Sequence, residues 1–159
     1  MNKVWLVFPG LGKTYAASKT DKILEVQLSR FKNRNVQKYG EHFPEHLKGN
    51  LEVALDLNPD YPNNAIQHIR QGLTDGKIPV LALKSDNIKF VVEHNFDFEF
   101  VVPHQDKLEQ LKQQYIARGN TLEYVTRNMS HAKNILGIVG EYNKPIIYVH
   151  KDQHLLDLL

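Results

Sequence analysis

Residues 7–14 read Val-Phe-Pro-Gly-Leu-Gly-Lys-Thr, and this stretch is the part of the chain best suited to binding a phosphate. Gly10 and Gly12 let the backbone curl so that its N–H groups face an anion. Lys13 can reach the outer phosphates of a nucleotide, and the Thr14 hydroxyl is a ligand type for Mg²⁺. A helix starting behind the loop adds the positive end of its dipole. Measured against the full pattern G-x-x-x-x-G-K-[ST], the loop has Val7 where the first glycine belongs, yet it keeps the tight part of the turn. Pro9, Gly10, Leu11, Gly12, Lys13, Thr14 and Tyr15 are therefore the expected phosphate-binding set, with Thr14 as the metal ligand. The plainer alternative is a strand-to-helix turn that carries a lysine by chance.

A second group of polar residues follows in sequence. Glu25 lies on the alternating segment Ile-Leu-Glu-Val-Gln-Leu (23–28), either as a base for an acceptor or as a structural strand residue. Ser29, Arg30 and Arg34 come directly after it, where they meet an acceptor or form a solvated basic loop. Among the eight histidines, only His42 and His46 have a spacing that suggests a ligand pair, and a surface loop with two histidines is the simpler reading. Asp97 and Glu99 alternate with Phe96, Phe98 and Phe100, a pattern that predicts an edge-like strand with one wet face and acids that bind no metal.

The elements that must position these groups alternate between strand and helix. Residues 3–8 form a short apolar run ending at Pro9-Gly10, which predicts a central strand buried on both faces. Further strands are expected at 23–28, 78–83, 96–102 and 145–149. Helices are expected at 13–19, from Asn63 or Asn64 to residue 74, from Ser85 or Asp86 to 94, at 106–118 and at 121–139, with a final helical turn in 155–159. Residues 29–62 are rich in Asn, Lys, His, Gly and Pro and read as an insert with a short helix near 51–57. This order argues for βαβ units and one parallel sheet covered by helices on both faces.

Composition narrows the functional classes. At 159 residues and 42% hydrophobic, the chain fits one soluble domain, 1–159. With no cysteine it can hold no disulfide framework, cysteine-ligated zinc or iron–sulfur cluster, and it has no thiol nucleophile. Lys plus Arg number 20 against 18 Asp plus Glu, a net charge of +2 that argues against a nucleic-acid partner recognised by charge. No apolar run approaches a membrane span and no leader pattern opens the chain, so a cytoplasmic protein with no membrane partner is expected.

With these residues in view, the chain resembles the P-loop nucleoside and nucleotide kinases, and more narrowly the short adenylate-kinase-like proteins of bacteriophages. The resemblance is carried by Phe8 to Tyr15 and Phe31, by Tyr61-Pro62-Asn63-Asn64-Ala65-Ile66-Gln67-His68-Ile69, by Val101-Val102-Pro103, and by Tyr115-Ile116-Ala117-Arg118-Gly119-Asn120. It implies a P-loop NTPase three-layer α/β/α fold with a five-stranded parallel sheet and a short helical lid over residues 104–140. It also implies ATP with Mg²⁺ as cofactors, and γ-phosphoryl transfer to a nucleotide or other small-molecule acceptor held near the 29–62 insert. Arg118 is the implied lid arginine, with Arg127 second to it, and Lys13, Arg118 and Glu25 form the implied catalytic set. The chain departs from the family at Gln27, where an acid is usual, at Gln114, where a second arginine is usual, at Lys84-Ser85-Asp86 after the third strand, and at Lys89 in place of arginine. The leading expectation is an ATP-dependent phosphotransferase. A non-catalytic nucleotide-binding module and a polynucleotide-end kinase are the alternatives.

Overall fold

A computed structural model of the chain describes residues 2–34 and 56–159. The expected helix near 51–57 and the His42/His46 pair lie outside the described residues, apart from a two-residue strand at the end of that segment. The first half of the described chain runs β1 (Val4–Val7), α1 (Lys13–Lys19), β2 (Ile23–Glu25), α2 (Leu28–Lys32), β3 (Asn33–Arg34), β4 (Asp56–Leu57), α3 (Asn63–Thr74) and β5 (Ile78–Ala82). It continues with α4 (Ser85–Glu93), β6 (Phe98–Pro103), a 3₁₀ turn (Gln105–Lys107), α5 (Leu108–Ala117), α6 (Leu122–Gly140), β7 (Ile146–Val149) and a last 3₁₀ turn (Leu155–Leu158).

Five strands form one parallel sheet in the order β2-β5-β1-β6-β7, while β3 and β4 make a separate antiparallel pair. β1 is the middle strand, and its four residues are all buried, as an apolar run flanked on both edges and both faces requires. The chain moves from β1 past β5 to β2, returns to β5, and then crosses β1 to reach β6. Right-handed crossovers consequently set α1 on one face and α3 and α4 on the other. The change of direction beside β1 makes the carboxyl end of that strand the topological switch point, where open α/β sheets bind ligands. The helices present apolar stripes to the sheet, for example Ala65, Ile66 and Ile69 on α3 and Val125, Ala132, Ile135 and Val139 on α6.

Two expectations need correction. β2 stops at Glu25, because its pairing with β5 ends there and Gln27 turns the chain into α2, so Leu28 is helical and does not continue the strand. β6 is also an interior strand, lying between β1 and β7. Its alternation has a different cause: the Glu99 carboxylate accepts the Trp5 indole N–H at 3.2 Å and pairs with Lys3 at 3.5 Å. Asp97, just before the strand, is paired with Lys3 and Lys144. No helix among the described residues is long and apolar enough to cross a membrane.

Candidate functional site

The loop between β1 and α1 turns at two left-handed positions, Gly10 at φ 90° and Gly12 at φ 94°. Both favour glycine because a Cβ crowds the backbone in this region. Gly10 is restricted by packing as well: a Cβ there would lie 2.7 Å from Leu111 Cδ1 and 2.9 Å from Tyr115 Cε1. The backbone N–H groups of Gly10, Gly12 and Lys13 make no hydrogen bond among the described residues, so they remain available to an external acceptor.

Neighbouring elements hold the loop in shape. The buried Tyr115 hydroxyl donates to the Pro9 carbonyl, and Leu155 N–H donates to the Leu11 carbonyl at 2.8 Å. His131 on α6 stacks on Phe8 with ring centres 5.3 Å apart. The periodicity of the helix expected at 106–118 puts Tyr115 with Leu108 and Leu111 on its apolar face, whereas the contacts of His131 and Leu155 have no sequence signal. All three depend on packing between segments more than 100 residues apart.

The chemical groups converge at the carboxyl ends of β1 and β2. Lys13 opens α1, and burial pushes its pKa below the ordinary lysine value. The nearby Glu25 carboxylate opposes that shift, while the Arg118 guanidinium adds to it. Lys13 thus lies within electrostatic reach of both other residues expected to be catalytic, Glu25 and Arg118. The Thr14 hydroxyl donates to Glu25 Oε1 at 3.1 Å, and Gln27 Nε2 donates to the same oxygen at 3.3 Å. Glu25 Oε2 accepts no hydrogen bond among the described residues. Gln27 Oε1 is buried without a hydrogen-bond partner, as is Gln114 Oε1 one turn before Arg118.

Arg118 caps the end of α5 and is exposed, and Gly119 follows it at φ 78°. The 104–140 segment is only partly a projecting element: Leu111 and Tyr115 are fully buried against the loop, and Tyr115 packs edge-on to Tyr124. Burial raises the Tyr115 pKa above the ordinary tyrosine value, so its hydroxyl keeps the proton that it donates to Pro9.

Two cavities meet at Glu25 and Gln27. One, of about 480 Å³, is lined by Thr14, Glu25, Gln27, Arg30, Phe31 and His68. A smaller one, of about 140 Å³, reaches Lys13, Ser29 and Lys84. Phe31 and His68 face each other with ring centres 5.0 Å apart, and Asn64 Nδ2 ties α3 to the Phe31 carbonyl at 2.9 Å. The other expected participants make contacts of their own. Tyr15 packs against Lys19 and against His154, which itself lies beside Gly12. Lys89 pairs with Glu93 on the surface of α4, while Arg127 rests over the Tyr124 ring and lines, with Pro9 and Lys84, a further cavity of about 450 Å³.

No protein-family model matches the chain, and no curated protein matches it significantly.

Proposed function

We propose that the protein is an ATP-binding phosphotransferase with a P-loop NTPase three-layer α/β/α fold, and that it moves the γ-phosphoryl group of ATP to a nucleoside or nucleotide. One observation carries this reading: a desolvated Lys13 lies within electrostatic reach of an arginine and a carboxylate, beside a glycine loop whose N–H groups make no hydrogen bond among the described residues. Phosphoryl transfer needs positioning and charge neutralisation more than covalent assistance, and these groups supply both.

The loop from Pro9 to Thr14 receives the phosphates, with Lys13 against the outer ones. A phosphate replaces the water that Lys13 has lost, and this restores the stability of its charged form. Arg118, at the exposed end of α5, reaches the transferring group from the solvent side. Thr14 Oγ1 is a hard oxygen donor of the type Mg²⁺ takes, so this residue fits that ion and would hold it. When bound, Mg²⁺ neutralises phosphate charge. Glu25 Oε2 takes the proton of the acceptor hydroxyl as the acceptor oxygen bonds to phosphorus and the bond to the ADP oxygen breaks. The 480 Å³ cavity, with Arg30 for a phosphate and the Phe31–His68 pair for a ring, is the acceptor site of this reading.

The second reading, a nucleotide-binding module without turnover, draws on Gln27. This amide sits against Glu25 where an acid would strengthen a metal site, and its buried Oε1 has no partner. ATP consumption measured against a panel of nucleosides, nucleoside monophosphates and 5′-hydroxyl oligonucleotides separates the readings. Stimulation by a small acceptor supports transfer. ATP binding with no stimulated turnover supports the module, and stimulation by oligonucleotides alone supports an end kinase.

A further inference from the structure

A cluster of ligand-type side chains lies at the carboxyl ends of β6 and β7, outside the Lys13–Glu25–Arg118 group. Pro103 pairs with Val149 at the end of the parallel register, and His104 N–H donates to the Val149 carbonyl at 2.9 Å. The next residues, His104 and His150, therefore leave neighbouring strands side by side. Their ring centres are 4.3 Å apart, with planes 33° from parallel. Asp106, in the following 3₁₀ turn, brings Oδ1 to 3.2 Å from His104 Nδ1 and Oδ2 to 3.1 Å from His150 Nδ1. One ligand atom from each of the three residues lies within 4.8 Å of the others.

Further contacts orient the three groups. Lys151 N–H donates to Asp106 Oδ1 at 3.0 Å, Asp106 N–H donates to His104 Nδ1 at 3.3 Å, and His150 N–H donates to Gln153 Oε1 at 2.9 Å. The Tyr148 ring stands edge-on to His104. The Lys151 contact orients the carboxylate as outer contacts do in metal sites, and His104 Nδ1 would exchange the Asp106 N–H for the ion if it is the ligand atom. Lys107, on the same turn, donates its ammonium to Gln110 Oε1 and the Gln153 carbonyl, so its charge is engaged there. His104 and His150 both line a cavity of about 650 Å³, which leaves room for an exchangeable ligand.

We propose that His104, Asp106 and His150 bind a divalent ion of the zinc class, with a coordination position open to water or a small ligand from the cavity. Two imidazoles and one carboxylate favour zinc and its neighbours over Mg²⁺ or Ca²⁺, which prefer all-oxygen shells. The ion would pin the start of α5 to the end of β7 and so brace both ends of the segment that carries Arg118. This inference does not depend on the proposed activity.

The test uses the full-length protein stripped of metal, titrated with Zn²⁺ by calorimetry and with Co²⁺ by visible absorption. One Zn²⁺ per chain is expected at micromolar affinity or better, with a Co²⁺ band of four- or five-coordinate intensity and no displacement by excess Mg²⁺. His104→Gln and His150→Gln are each expected to weaken this site by about tenfold or more. All three side chains are about half exposed, so the metal-free variants should keep the parent melting temperature. Zinc-induced shifts of the His104 and His150 ring-proton resonances supply a readout that needs no variant. Unchanged Zn²⁺ affinity in the double glutamine variant, or no saturable Zn²⁺ binding by the parent protein, would overturn the proposal.

Discussion

The Thr14 hydroxyl donates to Glu25 Oε1 at 3.1 Å, joining the first turn of α1 to the end of β2. β1, which leads into Thr14, and β2, which ends at Glu25, flank β5 in the sheet, and the crossover through α1 brings the two residues together. The bond fixes one carboxylate oxygen, while the other accepts no hydrogen bond among the described residues, and Glu25 lines the cavity that contains Arg30, Phe31 and His68. A residue held in this way can take a proton without first giving up a structural contact.

Glu25→Gln keeps an oxygen for Thr14 but cannot accept a proton. Its kcat is expected to fall by about 10²-fold or more, with the KM for ATP nearly unchanged, as measured by steady-state kinetics with the acceptor found in the panel. Equal losses in kcat and in ATP affinity would place Glu25 in binding and not in proton transfer.

Lys13 should make the stability of the ligand-free protein depend on alkaline pH. Its folded pKa is lowered, so between that value and the ordinary lysine value the unfolded chain binds more protons, and stability rises with pH across the window. Below the folded pKa the cost of the buried charge is fully present. Lys13→Met should remove this slope in denaturant titrations and leave the protein at least as stable at neutral pH. ATP binding, which favours the charged lysine, should weaken over the same window as pH rises.

Gly10→Ala combines a left-handed backbone with contacts at 2.7 Å and 2.9 Å from Leu111 and Tyr115. A loss of about 2–4 kcal/mol is expected from strain and overpacking together. Gly76→Ala is the matched control, because Gly76 has φ 77° with nothing near the added methyl, and it should lose only about 1–2 kcal/mol. Chemical denaturation of the two variants separates the packing contribution from the backbone one.

Tyr115→Phe removes the donor to the Pro9 carbonyl and keeps the ring in its place against Gly10. A loss of about 1 kcal/mol is expected. The raised pKa of Tyr115 means that its contribution is complete below the ordinary tyrosine pKa and is lost as pH rises through the folded value. The variant should therefore lose less stability than the parent at the alkaline end of a pH series.

Much of the architecture could be read from local pattern. The apolar run at the start of the chain became the middle strand, and Thr121 caps α6 by accepting the Tyr124 N–H at 3.2 Å. Pattern failed where tertiary partners decide the outcome. Asn64 lies inside α3, capped by Pro62, where its Oδ1 accepts the Ala65 N–H and its Nδ2 holds the Phe31 carbonyl, and Glu99 looks solvent-facing yet serves Trp5 and Lys3. The approach of Lys13 to Glu25 followed from the loop and the strand that come after each other in sequence. Arg118 could be placed only through resemblance, because nothing local relates residue 118 to residue 13. The histidines at 104 and 150 had no readable spacing, since the register of β6 with β7 alone sets their separation.

The central claim is that the glycine loop binds a nucleotide through Lys13, and calorimetric titration of ATP with Mg²⁺ into the parent protein and Lys13→Ala at matched salt tests it most directly. One saturable site is expected in the parent, weakened about 10- to 100-fold in the variant, the range for loss of a charged hydrogen bond. Equal affinity in two folded proteins, or no ATP binding by the parent, would contradict it.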